Sequence, residues 1–475
     1  MMKMSEANEP FLAEEKMLDI DTLLYKMDRF YHTGKTRNLN YRKRALLKLK
    51  EAIKNNEKEI IEALNLDLGK SSVESYTTEI GIIYENITYF VKNLDGFARK
   101  RRVMWHKTNF LSRGEIYREP YGKVLIISSF NYPFQLTMEP LIGALAAGNT
   151  VTLKPSDQAV HTEIVIRKVI REAFPEDYVS VVGGGKDVVD VLTRAHFDYI
   201  FFTGSTKTGK DIMRNASENL VPVTLELGGK SPAIVGRRAN LKNAARKIAF
   251  GKFINAGQTC IAPDYVLVHE KVKDAFIHEM VTTLKRFYGD NPKASMDYSR
   301  LINERAFNRL SDMLYKDKDK IIYGGQTDIL DHYMEPTLLV SDNFDLHAMK
   351  EEIFGPILPI IVYKDINKAM EEIKAMGKPL ALYIFTEDKT VQEGILKRLS
   401  FGGGAVNDTI LHITSPYMPF GGVGASGTGR YHGKYSFLTF THEKAILKTN
   451  SFLNMTLQEP PLGKIKYHLI RNVLK

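Results

Sequence analysis

From residue 20 to about residue 103, apolar positions recur at helical spacing. Leu46, Leu47, Leu49 and Ile53 are followed by Ile60, Ile61 and Leu64, with Lys and Glu between them, and this predicts helices. Gly69-Lys70-Ser71-Ser72 breaks that run, and residues 79–97 predict a further helix. The stretch 100–118 is basic and turn-rich. It leads into residues 116–122, which predict an edge strand or hairpin, because Pro120 argues against a central strand.

A different rhythm begins at residue 123. Apolar runs at 123–128, 150–154, 178–182 and 199–203 predict buried strands. Between and after them, residues 138–147, 162–174, 188–194 and 209–219 predict helices. Four β-α units in succession imply a parallel, doubly wound sheet, whose ligands bind beyond the carboxyl ends of the strands. After residues 224–227 the alternation resumes, with strands at 233–235, 265–268, 358–362 and 381–385 and helices at 272–287 and 366–376. This predicts a second α/β domain beginning near Gly228. Residues 401–433 read as loop, 435–447 as a final strand, and 460–475 as a basic amphipathic tail that docks on the protein's own surface in preference to a membrane.

Composition narrows the class. The chain has 475 residues, 44% hydrophobic and 26% charged, as in a globular protein with several domain-sized units. A formal charge of +10 is mild for this length, and no compact basic-aromatic module accompanies it, so nucleic acid is not expected as a partner. Residues 1–15 lack the apolar core of a signal peptide, and no window is long and apolar enough for a membrane span. The single cysteine rules out an internal disulfide and fits a reducing cytoplasm. The twelve His residues show no ligand spacing, so no metal is expected.

That one cysteine, Cys260, sits in Phe253-Ile-Asn-Ala-Gly-Gln-Thr-Cys260-Ile-Ala-Pro-Asp-Tyr265, a turn-forming context and not a packed strand. Val223-Thr-Leu-Glu226-Leu-Gly-Gly-Lys-Ser231 lies upstream and offers a carboxyl to move protons for a thiol nucleophile. Two phosphate motifs fail on inspection. Gly204-Ser-Thr-Lys-Thr-Gly209-Lys210 matches a P-loop except at its magnesium-holding position, which is Asp211. Gly422-Val-Gly424-Ala-Ser-Gly427 satisfies G-x-G-x-x-G, but no apolar strand precedes it and no helix follows.

Assembled in order, these segments resemble the aldehyde dehydrogenases, specifically the class 3 branch of fatty- and aromatic-aldehyde enzymes. The motifs are Phe130-Asn-Tyr-Pro-Phe134, Leu153-Lys-Pro-Ser156, Phe202-Thr-Gly-Ser205, Leu225-Glu-Leu-Gly-Gly-Lys-Ser231, Gly257-Gln-Thr-Cys-Ile-Ala-Pro-Asp-Tyr265, Glu351-Glu-Ile-Phe-Gly-Pro356 and Pro419-Phe-Gly-Gly-Val-Gly424. Pro-Asp-Tyr after the cysteine and Tyr431-His-Gly-Lys-Tyr435 have the class 3 flavour.

The resemblance implies two doubly wound, Rossmann-like domains and a small β oligomerisation arm. Residues 1–227 would bind NAD or NADP, with the hairpin near 113–122 projecting as an arm. Residues 228–430 would carry the nucleophile, 431–455 would bridge subunits of a homodimer, and 456–475 would form the tail. Cys260 would be the nucleophile, Asn131 and the Cys260 amide the oxyanion donors, and Glu226 the base, with Glu352 its rival.

Cofactor contacts would come from Lys154 and Asp157 at the adenosine ribose, where most relatives carry Glu in place of Asp157. The shorter acid leaves NAD against NADP open. Gly204, Ser205, Thr206, Lys207, Thr208 and Gly209 would lie at the diphosphate, with Leu227, Gly228, Glu352 and Phe354 on the nicotinamide side. The implied reaction is oxidation of an apolar aliphatic or aromatic aldehyde to its acid. A cysteine-dependent thioesterase or acyl transferase, or a CoA-acylating aldehyde dehydrogenase, is the alternative.

Overall fold

The computed structural model describes residues 19–104, 112–452 and 459–474. The polar amino terminus, residues 105–111 of the basic stretch, and 453–458 at the junction of bridging strand and tail lie outside the described residues.

A first sheet of six strands runs in the order Gly427–Thr428, Val223–Glu226, Tyr199–Thr203, Lys123–Ile127, Thr150–Lys154, Val179–Val181. Every pairing is parallel except the one made by Gly427–Thr428. The alternation of one strand shows why both faces are covered. Val124 and Ile126 pack into the larger core with Met138 and Leu141, while Leu125 and Ile127 face Leu23, Met27 and Ile212 in a second core. The helix Gln135–Ala147 is buried along its whole length, which explains its apolar composition on every side.

A second sheet of seven strands runs Ile321–Tyr323, Thr337–Ser341, Ile357–Tyr363, Tyr265–His269, Pro232–Val235, Ala381–Phe385, Gly403–Val406. It is parallel except at its Ile321–Tyr323 edge. Gly403–Val406 and Gly427–Thr428 fall inside the stretch expected to be loop. Glycine conceals the first: a Cβ at Gly404 would lie 2.0 Å from the Leu382 carbonyl oxygen, so only a residue without a side chain can pair there.

A third sheet corrects the reading of Pro120. Ser112–Pro120 is the middle strand of three, between Arg101–Val103 and Thr441–Thr449. Arg101–Val103 pairs only with Gly114–Ile116, so one side of the strand is already open where Pro120, lacking an N–H, ends it. The strand expected over 435–447 also divides. Lys434–Thr439 is helical and Thr441–Thr449 is extended. The helix forms because Ser436 and Phe440 share a face that closes on Gly143, where an added Cβ would lie 2.7 Å from Ser436 Cβ.

The tail forms a helix, Lys464–Leu474, with no buried residue. Ile465, Leu469 and Leu474 stand exposed, so the tail does not dock its apolar face on the body as expected. Among the described residues no helix is long and apolar enough to cross a membrane.

Candidate active site

The turn that carries Cys260 begins where the helix Leu241–Phe253 stops. The chain passes through three successive left-handed residues, Asn255 (φ 51°), Ala256 (φ 50°) and Gly257 (φ 77°), before reaching Cys260. Left-handed geometry costs non-glycine residues free energy, so the surroundings must hold it. At Gly257 a Cβ would lie 2.3 Å from the Gly355 carbonyl oxygen, which excludes any side chain there. Glu74 accepts from the Asn255 amide at 2.9 Å. Gln258 donates to the Asn255 and Arg300 carbonyls at 3.1 and 2.9 Å and accepts from the Ile302 amide at 3.0 Å. Beyond the thiol, the Tyr383 hydroxyl donates to the Ile261 carbonyl at 2.6 Å.

Asn131 approaches from the carboxyl end of Lys123–Ile127. Its side-chain amide donates to the Gln258 carbonyl at 3.0 Å, and its own carbonyl accepts from the Asn255 side chain at 2.7 Å. The neighbouring Tyr132 hydroxyl bonds the Thr259 hydroxyl at 2.7 Å, one residue before the thiol. The Asn131 and Cys260 turns are therefore tied together three times.

Two carboxyls face the thiol. Glu226, the last residue of its strand, is buried, and neither carboxylate oxygen has a hydrogen-bond partner among the described residues. Burial alone pushes its pKa well above the ordinary range. Glu352 is raised to about 8, mainly by burial and then by Asp264, while the Gly229 amide favours its ionised form. Cys260 retains some solvent contact, yet burial, then Glu352 and Glu226, push its thiol up to about 12. The Cys260 and Ile261 amides oppose that shift by favouring the thiolate.

The residues expected at a dinucleotide fit one. Ser205 caps the helix Thr206–Ser217, accepting from the Thr208 amide and bonding the Thr208 hydroxyl at 3.0 Å, so hydroxyls and free helix-terminal amides meet there. A Cβ at Gly209 would lie 2.7 Å from Leu227, which seats that helix closely on the strand end. Asp211, which spoiled the P-loop match, is bound by Arg214 at 2.8 Å. Thr206, Gly228, Gly229, Lys230, Lys378 and Ala425 line a small cleft at the same place. At Gly228 a Cβ would overlap the Glu352 carboxylate, 2.0 Å from Oε2, so the glycine makes room for that acid. Phe354 is left-handed (φ 48°), and its ring meets Phe130 edge-on at 5.7 Å. Lys207 and Asp157 are exposed. Lys154 is buried and donates to the Pro155 carbonyl at 2.9 Å, its pKa lowered by burial against the pull of Asp157, Glu163 and Asp187. Among the described residues no cluster of potential metal ligands occurs.

Gln258, Asn255, Glu74, Tyr383 and the buried Lys70 and Glu79 carry the scaffold of this site and are not among the functional residues expected from the sequence. Position beside the cysteine could have pointed to Gln258 and Asn255; the rest are brought in by the fold.

A thiol whose turn is tied through Asn131 to the carboxyl end of the first parallel sheet, beside an orphaned carboxyl and a glycine-lined cleft, suits a doubly wound, dinucleotide-dependent enzyme. The pattern that defines the aldehyde dehydrogenase family matches residues 12–446. The chain is similar to the 4,4'-diaponeurosporen-aldehyde dehydrogenase of Staphylococcus aureus, 49% identical over 449 residues, 94% of this chain and 98% of that one. It is 41% identical over 440 residues to a rat (Rattus norvegicus) aldehyde dehydrogenase described as dimeric and NADP-preferring, covering 92% of this chain and 96% of that one. The solved substrate-bound state of Staphylococcus aureus AldH superimposes with a TM-score of 0.95 at 48% identity, covering 97% of this chain and 100% of that one. The chain belongs to the aldehyde dehydrogenase family: it is an enzyme that oxidises an aldehyde with NAD or NADP.

Proposed function

We propose that this protein oxidises an apolar aldehyde to its carboxylic acid through covalent attachment to Cys260. Support for the apolar substrate comes from the likeness to the diaponeurosporen-aldehyde enzyme and from the segment after Gly403–Val406. That segment includes Ile410, whose backbone meets the same Tyr383 hydroxyl that holds Ile261, and it presents Leu411, Tyr417 and Met418 to solvent. In this reading residues 1–227 make the dinucleotide domain and 228–430 the catalytic one, with Gly427–Thr428 returning to the first sheet.

The Cys260 thiol gives its proton to a neighbouring carboxyl in its ionised form, and its sulfur forms a bond to the aldehyde carbon. The developing oxyanion takes hydrogen bonds from the Asn131 side chain and the Cys260 amide, each such donor contributing roughly 2.7–4 kcal/mol. NAD or NADP, when bound, supplies the hydride acceptor that turns this adduct into a thioester. Lys154, Asp157, the 204–209 turn, Leu227, Gly228, Glu352 and Phe354 would hold it. Glu226, ionised, then takes a proton from water, whose oxygen bonds to the thioester carbon as the carbon–sulfur bond breaks. The observation that carries this assignment is the buried Glu226 carboxyl with both oxygens free, whereas Glu352 already has the Gly229 amide.

The test is reduction of NAD and, separately, NADP by purified protein given hexanal, decanal or benzaldehyde. Turnover that disappears in Cys260→Ala is the expected outcome. Failure of every pair would sink the reading and redirect attention to thioester hydrolysis and CoA.

We propose, further, a cytoplasmic homodimer joined through Thr441–Thr449, whose outer side is an exposed strand edge. A monomeric mass in solution would refute it. The undocked basic helix Lys464–Leu474 suits weak contact with an anionic membrane surface. Equal sedimentation with anionic vesicles before and after its removal would count against that.

A further inference from the structure

Outside the residues that touch reactants, the most complete polar network lies under Asn131. Lys70 and Glu79 are both fully buried and form an ion pair at 2.5 Å. Such a pair is costly to desolvate and persists where its remaining hydrogen-bonding capacity is used. Here it goes to one turn. Lys70 Nζ donates to the Asn131 carbonyl at 3.0 Å and sits 4.1 Å from the centre of the Tyr132 ring. Glu79 Oε2 accepts from the Phe134 and Gln135 amides at 2.9 and 3.2 Å, at the start of the helix Gln135–Ala147. The lysine therefore holds the first half of Asn131-Tyr132-Pro133-Phe134 and the glutamate the second.

We propose that Lys70 and Glu79 are positioning residues for the oxyanion donor, acting through Asn131 on the step in which sulfur adds to the aldehyde. This rests on the role given to Asn131 above. The Asn131 carbonyl takes two donors, Lys70 Nζ and the Asn255 side chain, and its peptide plane sets where the side-chain amide points. Without Lys70 one of those donors is gone, and the Tyr132 ring loses the ammonium beneath it while its hydroxyl still bonds Thr259 beside the nucleophile. A small displacement of a donor that must meet a developing charge suffices to lower the rate. Neither residue lines the cofactor cleft, so the defect falls on turnover and leaves cofactor binding intact.

The test replaces both charges together by apolar groups, Lys70→Met with Glu79→Leu, a change that buried ion pairs often tolerate without loss of stability. Expected is a kcat at least about tenfold lower, with the KM for aldehyde and the Kd for NAD, read by titration of the folded protein, within about twofold of wild type. In an Asn131→Ala background the same two substitutions lower kcat no further, because residues acting through Asn131 have nothing left to position. A double variant that turns over within about twofold of wild type overturns the proposal, and so does a loss that multiplies with that of Asn131→Ala. Should the double variant fail to fold, Glu79→Gln is judged by the same two criteria. If Asn131→Ala itself leaves kcat unchanged, the oxyanion role of Asn131 fails first, and that result is distinguishable from both of the others.

Discussion

Two buried polar regions meet at the thiol, and they are built on opposite principles. Beneath Asn131, Lys70 and Glu79 have their charges paired and their hydrogen bonds made. Around Cys260, Glu226 has two unpartnered oxygens. Lys252, fully buried in the last turn of the helix Leu241–Phe253 just ahead of the Cys260 turn, has an ammonium with no hydrogen-bond partner among the described residues. Satisfied groups cannot respond to a ligand without breaking a bond they already have; unsatisfied ones carry a standing cost that a reactant can relieve. The first kind holds geometry, and the second kind is the sort of group that the proposed mechanism uses at Glu226.

The strongest blow to this contrast falls on the second region. On the base role proposed for Glu226, Glu226→Gln keeps the shape but not the base, and kcat is expected to fall by about 10²–10⁴. The same change alters stability against pH in a defined direction. A carboxyl whose pKa is raised on folding keeps its proton to higher pH in the native protein than in the unfolded chain, so stability falls as pH rises above the unfolded value near 4.5 towards the folded one. Glu226→Gln removes that fall. Thermal unfolding at about pH 5 and about pH 8 measures it, and parallel losses in variant and wild type would count against a Glu226 carboxyl raised by burial.

A milder pair of variants makes the same substitution in each region. Lys70→Met strands Glu79 as a buried unpaired charge and destabilises by about 3–5 kcal/mol. Lys252→Met removes a buried ammonium with no partner and stabilises by about 1–3 kcal/mol near neutral pH. Burial lowers the Lys252 pKa from 10.5 to about 8. Below that folded value both folded and unfolded chains hold the proton and the full cost is present. Between about 8 and 10.5 the native protein releases it first, so wild-type stability rises and the advantage of Lys252→Met shrinks to nothing. Denaturant unfolding of both variants reads the two signs, and equal signs would dissolve the contrast between the two regions.

The gentlest effect is a slope. Glu352, raised to about 8, lowers stability by up to about 1.4 kcal/mol per pH unit between 4.5 and that value, and Glu352→Gln flattens this stretch of the curve. An unchanged slope would mean that Glu352 is already ionised in the folded protein.

The alternation of short apolar runs with helical stretches was enough to place most of the parallel strands of both sheets, because a strand buried on both faces must be apolar throughout. It missed Thr337–Ser341, an apolar parallel strand of the second sheet, and it failed again where glycines pair or where a short helix stands in place of a strand. Gly403–Val406 pairs through glycines, and Lys434–Thr439 is helical because Phe437 and Phe440 turn inward against a neighbouring helix. Pro120 misled because a missing donor matters only where a ladder needs it, and the ladder with Arg101–Val103 stops at Ile116. The tail misled because its amphipathic pattern shows a face that favours an apolar or interfacial partner without showing where that partner is.

The same division runs through the active site. The ordered motifs around Asn131, Glu226, Cys260 and Glu352 are local strings, and the resemblance they carry leads to the family before any fold is known. Lys70 lies in a segment that reads only as a break between helices, and Glu79 only as the start of one. Their pairing joins residues close in sequence, but their purpose lies with Asn131 and Phe134, more than fifty positions along the chain. Short motifs suffice for the class of enzyme and for the nucleophile proposed here, because reactive groups sit in brief stretches whose composition suits a turn. Which buried charges are paired and which stay free is a property of the folded molecule alone, because partnership and desolvation depend on what distant segments bring within hydrogen-bonding distance.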